Sequence, residues 1–455
     1  MGFAYICLCL CNAELTSSFL FAGGAYGINR ITCGLYPGFL IGCCEAAQYI
    51  TYVAISTFLL SKMLRDIWLT EEYMVPIFCL LFYISACSIL IFGERYFWRF
   101  SALFGVSSLL ILLIYCFGSL AYDNIARYTP HFGATGSDFE EDRHQWFVGG
   151  MVGFMKFFPV SAWFFVGVES INLSGSVVAQ PKTAVPIASI WCIVTCFFTS
   201  LFVLFVCASL PMLDNIPTAQ LSAPMSVGFA LMFKMRVSDA IVFSLPATYA
   251  TCYGFTFAFS RILLSMSQSG LFPPILKHTY GKHKAPYAAI IAGSALGYCL
   301  CLAMYFKPPM EQQILPVCIL SSFIAYVSQF VGYLIFKKKY GHYAKTYTSP
   351  IGIWGAGFGG AVFSLGVVAL CAFQDDYVAF ITTLFLGVFC TIYYYTYAKR
   401  RQIFSEEEKV FFPMQILKCK YELMYTKRYD CVFVYYLLYN VIQCKAIGDA
   451  FKCRI

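Results

Sequence analysis

Apolar stretches of about 20 residues, the length at which a helix crosses roughly 30 Å of hydrocarbon, recur from one end of this 455-residue chain to the other. No other feature restricts its folding as strongly. In hydrocarbon every backbone N–H and C=O must be bonded inside the chain, which leaves helical bundles and closed barrels as the available architectures. The segments run too long for barrel strands and lack alternation of apolar and polar residues at period two. The predicted fold is therefore all-α, a polytopic helical membrane protein. Composition agrees, with 60% hydrophobic and 12% charged residues, where soluble domains carry about a quarter charged.

Eleven spans are expected, at Gly2 to Leu20, Tyr36 to Ser61, Met74 to Phe92, Ala102 to Tyr122, Gly150 to Val177, Val185 to Leu210, Asp239 to Met266, Tyr287 to Phe306, Ile314 to Phe336, Gly352 to Phe373 and Tyr377 to Tyr397. Cytoplasmic loops hold an excess of Lys and Arg. If the first span runs outside to inside, the inner loops hold Arg30, Arg95, Arg99, Lys182, Lys277, Lys282, Lys284, Lys337 to Lys339 and Lys399 to Arg401. The outer loops then hold Thr135 to Asp142, Asp214 and Asp375–Asp376, with exceptions at Lys62, Arg65, Lys234 and Arg236. This orientation places the C-terminus in the cytoplasm, in a multi-pass protein expected at the plasma membrane.

The net charge of +8 sits in short loops between spans. It reads as topology, so no nucleic-acid partner is expected. Most of the 22 cysteines lie inside the apolar runs as polarisable packing residues, without zinc-ligand or disulfide-framework spacing. Five histidines, His131, His144, His278, His283 and His342, fall in predicted loops and in no metal-binding pattern. With no H-E-x-x-H and no phosphate-binding glycine loop, enzyme function is not expected. Membrane lipid is an expected partner, and no residue speaks to oligomeric state.

One span departs from the rest. WFFVGVESINLSGSV, Trp163 to Val177, carries Glu169, an amide, serines and two glycines inside an apolar segment. An unpaired charge at mid-bilayer costs about 3 kcal/mol on insertion scales, so such a residue normally faces a bundle interior or wet cavity. Gly167 and Gly175 each weaken a helix by about 1 kcal/mol relative to alanine. Together they mark a break, whose free N–H and C=O groups can hold an ionised substrate near the midplane. Two readings stand: Glu169 pairs with a neighbouring helix for packing, with the glycines allowing close approach, or it binds substrate or handles protons. On the family-independent evidence of spacing, Glu45 and Gln48 lie three apart and share a helix face. They are candidate cavity-lining residues, or bond to each other or to a neighbouring helix.

The stretch WFFVGVESINLSGSVVAQPKTAVPIASI resembles the sixth helix and following loop of the amino acid–polyamine–organocation permeases, with their aromatic, small-residue break and acid-serine ending. NAELTSSFLFAGGAYGINRITCGLYPGFLIGCCEAAQYI (Asn12 to Ile50) is similar to the family's second and third helices, with Phe21 where proline is usual. SRILLSMSQSGLFPPILKHTYGKHKAPYAAII (Ser260 to Ile291) looks like the end of helix eight and the start of helix nine. YTSPIGIWGAGFGG (Tyr347 to Gly360) with SEEEK (Ser405 to Lys409) looks most like the ethanolamine and amino acid permease branch. The likeness runs in order along residues 1–409, taken as the permease domain; residues 410–455 form a basic cytoplasmic tail to which no role is assigned.

The resemblance implies a LeuT-like fold of two inverted five-helix repeats around broken helices one and six. Registered on that pattern, Met1 falls within helix two, an expectation that a first helix is lacking, through a truncated reading of the gene or a shortened protein. Residue by residue, the pattern implies Trp163 as the aromatic closing over substrate and Val166, Gly167 and Val168 as unwound backbone receiving its amino group. Glu169 and Ser170 form the acid-serine pair, and Phe255 is a further aromatic wall or an ordinary core residue. The implied function is alternating-access transport of an amino acid or a small amine such as ethanolamine. No cofactor is implied beyond an ion gradient. Glu169 is the proton-coupling candidate, and the family also contains sodium-linked members and exchangers. The rival reading is a non-transporting nutrient sensor or an inactive truncated permease.

Overall fold

The computed structural model describes residues 1–18, 23–92, 94–122, 150–210, 223–281, 284–340, 345–374 and 376–404. Position Phe21, four of the histidines (all but His278), the acidic loop residues 135–142, Asp214, Asp375, and everything after Phe404 lie outside the described residues. The chain divides into two units, of which the first is Met1–Ile403.

The described residues of this first unit are predominantly helical. The helices are α1 (Gly2–Ser18), the short α2 (Gly24–Thr32), α3 (Leu35–Trp68), α4 (Met74–Phe92), α5 (Glu94–Ser119), α6 (Gly150–Phe157), α7 (Pro181–Ser209), α8 (Ser226–Phe233), α9 (Val237–Ala240), α10 (Leu245–Gln268), α11 (Tyr287–Phe306), α12 (Pro309–Tyr340), α13 (Gly352–Ala372) and α14 (Val378–Tyr393). Among the described residues extended pairing is confined to a single bridge between Tyr280 and Ala285. Nine segments among them are long and apolar enough to cross a membrane, each overlapping an expected span. The other two expected spans are helical as well: α1 has 17 residues, and α10 is less apolar.

Three boundaries differ from expectation for local reasons. Helix α5 starts at Glu94, so Arg99, read as a loop charge, sits on an exposed face of its first turns. The span expected from Asp239 is helical from Val237 but passes through a 3-10 turn, Ile241–Ser244, before α10 begins at Leu245 with Pro246 in its opening turn, because proline fits a helix start but not its interior. Helix α3 runs 34 residues, to a left-handed cap at Leu69. At about 1.5 Å per residue it is roughly 50 Å long, more than a bilayer's hydrocarbon, so it tilts or protrudes. Three of the four basic residues that break the expected charge pattern are ion-paired: Lys62 with Glu311 at 2.8 Å, Arg65 with Asp66 at 2.7 Å, and Arg236 with Asp239 at 2.9 Å.

Helix α3 is the axis of the fold, packing along α2, α4, α10, α11 and α12. Small residues bring helices close, as expected where packing drives association in lipid. The glycine-rich start of α13 shows how. Phe330 of α12 lies over Gly359 and Phe323 over Gly366, with ring carbons where a β-carbon would stand. Cysteine serves the same end. Cys301 of α11 donates its thiol to the Ala54 carbonyl of α3 at 3.3 Å, and Thr57 donates to Cys252 of α10 at 3.4 Å.

Candidate functional site

The segment 158–176 has lost its α-helical winding. After α6 the chain passes through two 3-10 segments, Phe158–Phe164 and Val168–Ser176, longer than the three or four residues such winding usually sustains. Between them Gly167 takes φ +100°, a left-handed conformation that a side chain resists. A β-carbon there would also stand 3.1 Å from the Phe255 ring. Gly175, the other expected breaker, lies inside the second 3-10 segment without a positive φ; within the break only Gly167 is left-handed. Gly167→Ala is expected to cost about 1–2 kcal/mol from backbone strain and to shift the Phe255 ring. A thermal melt of the purified variant in detergent checks it, unchanged stability being the contrary result.

Glu169 turns back on this break and is buried. Its Oε2 accepts the Gly167 N–H at 3.1 Å. Its Oε1 accepts the Tyr326 hydroxyl at 2.8 Å, the Gln48 amide at 3.2 Å and the Tyr49 hydroxyl at 3.4 Å. Gln48 also donates to the Tyr326 hydroxyl at 3.1 Å. One carboxylate thus joins the broken segment to α3 and α12. Every polar group touching it donates, which is the arrangement a charged carboxylate needs when buried.

An aromatic wall stands next to this knot. Tyr49 stacks on Phe255 with ring centres 5.5 Å apart, Tyr52 meets Phe255 at 5.1 Å, and Trp163 sets its edge on Tyr52 at 5.2 Å. Tyr52 is held in place by a 2.8 Å hydrogen bond to Ser322. Phe255 is buried while Trp163 is 37% exposed, so the tryptophan forms the open side of the wall. Beyond it a cavity of about 420 Å³ is lined by Val166, Gly167, Val168, Ser170 and Phe255, with α5, α7 and α10 around them. Its size falls in the range of small-molecule sites. Ser170 donates its hydroxyl to the Gly167 carbonyl at 2.6 Å and so holds the turn.

Five of the nine expected site residues therefore border one hollow. Gln48 and Glu169 meet behind it, and Trp163 reaches it through the aromatic wall. Glu45 goes elsewhere. Its two oxygens accept the Ala25 and Tyr26 N–H groups at 3.2 and 3.1 Å, capping the first turn of α2. Of the readings left open for the pair, Glu45 bonds a neighbouring helix rather than Gln48. That is an ordinary way to satisfy the orphan donors of a helix start.

Sequence reading missed Tyr49, Tyr52 and Tyr326. The signal for Tyr326 was present. Ser322, Tyr326, Gln329 and Tyr333 succeed one another at spacings of four, three and four, a polar stripe down an otherwise apolar helix. Each member finds a partner across the bundle. Ser322 meets Tyr52, Tyr326 meets Glu169, Gln329 accepts from the Asn12 amide at 2.5 Å, and Tyr333 donates to Glu14 at 2.6 Å. The same signal was present for Tyr49 and Tyr52, which stand four residues after Glu45 and Gln48 on one face of α3.

Comparison with known proteins agrees with this architecture. The sequence profile of the amino acid permease family matches residues 1–404. Among curated relatives, the sexual differentiation process putative amino-acid permease isp5 of Schizosaccharomyces pombe is 27% identical over 253 residues, covering 52% of this chain and 42% of its own. The putrescine transporter PotE of Haemophilus influenzae is 26% identical over 155 residues, covering 34% of this chain and 35% of its own. The histidine permease HisP of Lactococcus lactis is 22% identical over 269 residues, covering 57% and 54%. The chain thus spans about half the length or less of these relatives. With its all-α, LeuT-like arrangement of membrane helices and a break at the acid-bearing segment, the chain belongs to the amino acid permease family.

Proposed function

We propose that this multi-pass membrane protein is a secondary transporter that carries an amino acid, or a related small amine such as ethanolamine, by alternating access. One observation carries the reading: an unwound, glycine-hinged segment bears a buried carboxylate beside a cavity of small-molecule size. The relatives' names add support, since they specify histidine and putrescine, both amine-bearing. In this reading the backbone of Val166 to Val168 receives the substrate amine, Trp163 and Phe255 enclose its side chain, and no catalytic step occurs.

Proton coupling through Glu169 is suggested by its surroundings. A proton added to this carboxylate would meet donors on every side, namely Tyr326, Gln48, Tyr49 and the Gly167 N–H. Uptake of a proton is therefore linked to release of α3 and α12 from the broken segment, which is the motion that alternating access requires. The proposed setting is the plasma membrane, with the lysine-rich end of α12 and the C-terminus in the cytoplasm.

The experiment is uptake into vesicles. Purified full-length protein, reconstituted with an inward proton gradient, is offered radiolabelled amino acids, ethanolamine and putrescine in turn. Accumulation of one of them, abolished by a protonophore, is the expected result. Saturable binding without any accumulation would instead make the protein a sensor and end the transport reading.

A further inference from the structure

On the far side of α3 and α12 from Glu169 lies a second and larger hollow, about 870 Å³, bounded by α3, α11, α12 and α14. Its walls are helix stripes that face a void where they would ordinarily face each other. Helix α14 presents Val378, Thr382, Phe385 and Phe389 at helical spacing, and α11 adds Leu296 and Leu300. The hollow is open on one side, since Phe385 and Phe389 of α14 are 73% and 60% exposed. A hollow of this size between membrane-crossing helices must hold hydrocarbon.

One end is charged. Lys307, exposed and in no ion pair among the described residues, stands at the mouth just past the end of α11. Gln313, also on the rim, donates to the Asp376 carboxylate at 3.4 Å. A cation and an anion thus flank the mouth of an apolar groove, at the end of α12 opposite Lys337 to Lys339. A phosphate suits the first and an ammonium the second.

We propose that this groove is a binding site for one zwitterionic glycerophospholipid, its acyl chain lying between α11, α12 and α14, its phosphate on Lys307 and its amine head toward Asp376. The site backs directly onto the machinery around Glu169. Thr51 and Ser321 line the groove, and their neighbours Tyr52 and Ser322 share the hydrogen bond that holds the aromatic wall. A bound chain therefore buttresses α3 and α12 from behind.

The test reads lipid retention, which does not depend on transport. Full-length protein is extracted from membranes and exchanged into detergent. It is then offered vesicles of phosphatidylethanolamine, of phosphatidylglycerol, or of phosphatidylcholine with sterol, and retained lipid is counted by native mass spectrometry. About one phosphatidylethanolamine or phosphatidylcholine per chain is expected. Leu300→Trp, which fills the groove, should lower retention at least fivefold. So should Lys307→Glu, which alters only an exposed side chain and so guards against a variant that fails to fold. Equal retention of phosphatidylglycerol, retention of sterol alone, retention unaffected by both substitutions, or a dimer that buries α14 without lipid would each overturn the assignment.

Discussion

Glutamine at position 169 should leave a folded protein that no longer accumulates substrate against its gradient. Four donors converge on the two oxygens of Glu169, and glutamine offers one acceptor oxygen plus an amide that donates. The tyrosine hydroxyls can rotate to accept, so the network rearranges rather than collapses. Interhelical side-chain hydrogen bonds in membranes average only about 0.6 kcal/mol, so the thermal midpoint should shift by a few degrees at most. The titratable proton, by contrast, is lost entirely. Gradient-driven uptake should fall at least about tenfold, equivalent to roughly 1.4 kcal/mol in the rate-limiting barrier, while exchange of labelled for unlabelled substrate persists. If the variant still accumulates substrate under an imposed proton gradient, Glu169 is a structural tie and the coupling reading fails.

The largest effect on stability is expected at Glu14, near the end of α1. Its side chain is fully buried and receives Lys337 at 2.6 Å, Lys345 at 2.8 Å, the Tyr333 hydroxyl at 2.6 Å and the Ser349 N–H at 3.1 Å. Three separate parts of the chain meet on this one carboxylate: α1, the last turns of α12, and the approach to α13. Glu14→Ala leaves two ammonium groups without a counter-charge and two donors without an acceptor. Breaking a buried pair from one side costs about 3–5 kcal/mol. The lower part of that range is expected, because both lysines are partly exposed and can extend to water. The Lys62–Glu311 pair, whose side chains are 28% and 35% open, supplies the contrast, since solvent-accessible pairs contribute about 0–1 kcal/mol. Thermal unfolding in detergent should rank Glu14→Ala far below wild type and Lys62→Ala beside it. Indistinguishable melts for the two variants would mean that the Glu14 cluster does not hold these helices together.

The spans were legible because a membrane allows so little: once the apolar runs are marked, helix is the only way to satisfy their backbone. The break was legible for the same reason, since a glycine beside an acid inside such a run has no cheap ordinary explanation. Local punctuation was harder to place. Arg99 looked like a loop because charge usually ends a span, but it extends from the exposed face of α5, and Pro246 moved the start of α10 by several residues. Long-range partnership was the hardest. Glu45 and Gln48 sit one turn apart on α3, yet one caps α2 and the other reaches Glu169. Which neighbour each meets depends on where α2 and α12 pack, and residue spacing within α3 carries no record of that. The polar stripes on α3 and α12 are the exception, because polar residues at helical spacing reveal a shared face before their partners are known.

Helix α3 has one further property, which is its long run without interruption. Glu45 grips α2 near one end, Tyr49 and Tyr52 form part of the aromatic wall between, and Lys62 meets Glu311 toward the other end, about 26 Å from Glu45 at 1.5 Å per residue. A stiff rod held this way behaves as a seesaw: a small tilt about its middle carries the two grips in opposite directions. In the proposed transport cycle, a tilt that loosens packing at one membrane face tightens it at the other, so the two ends of the pathway would not stand open together.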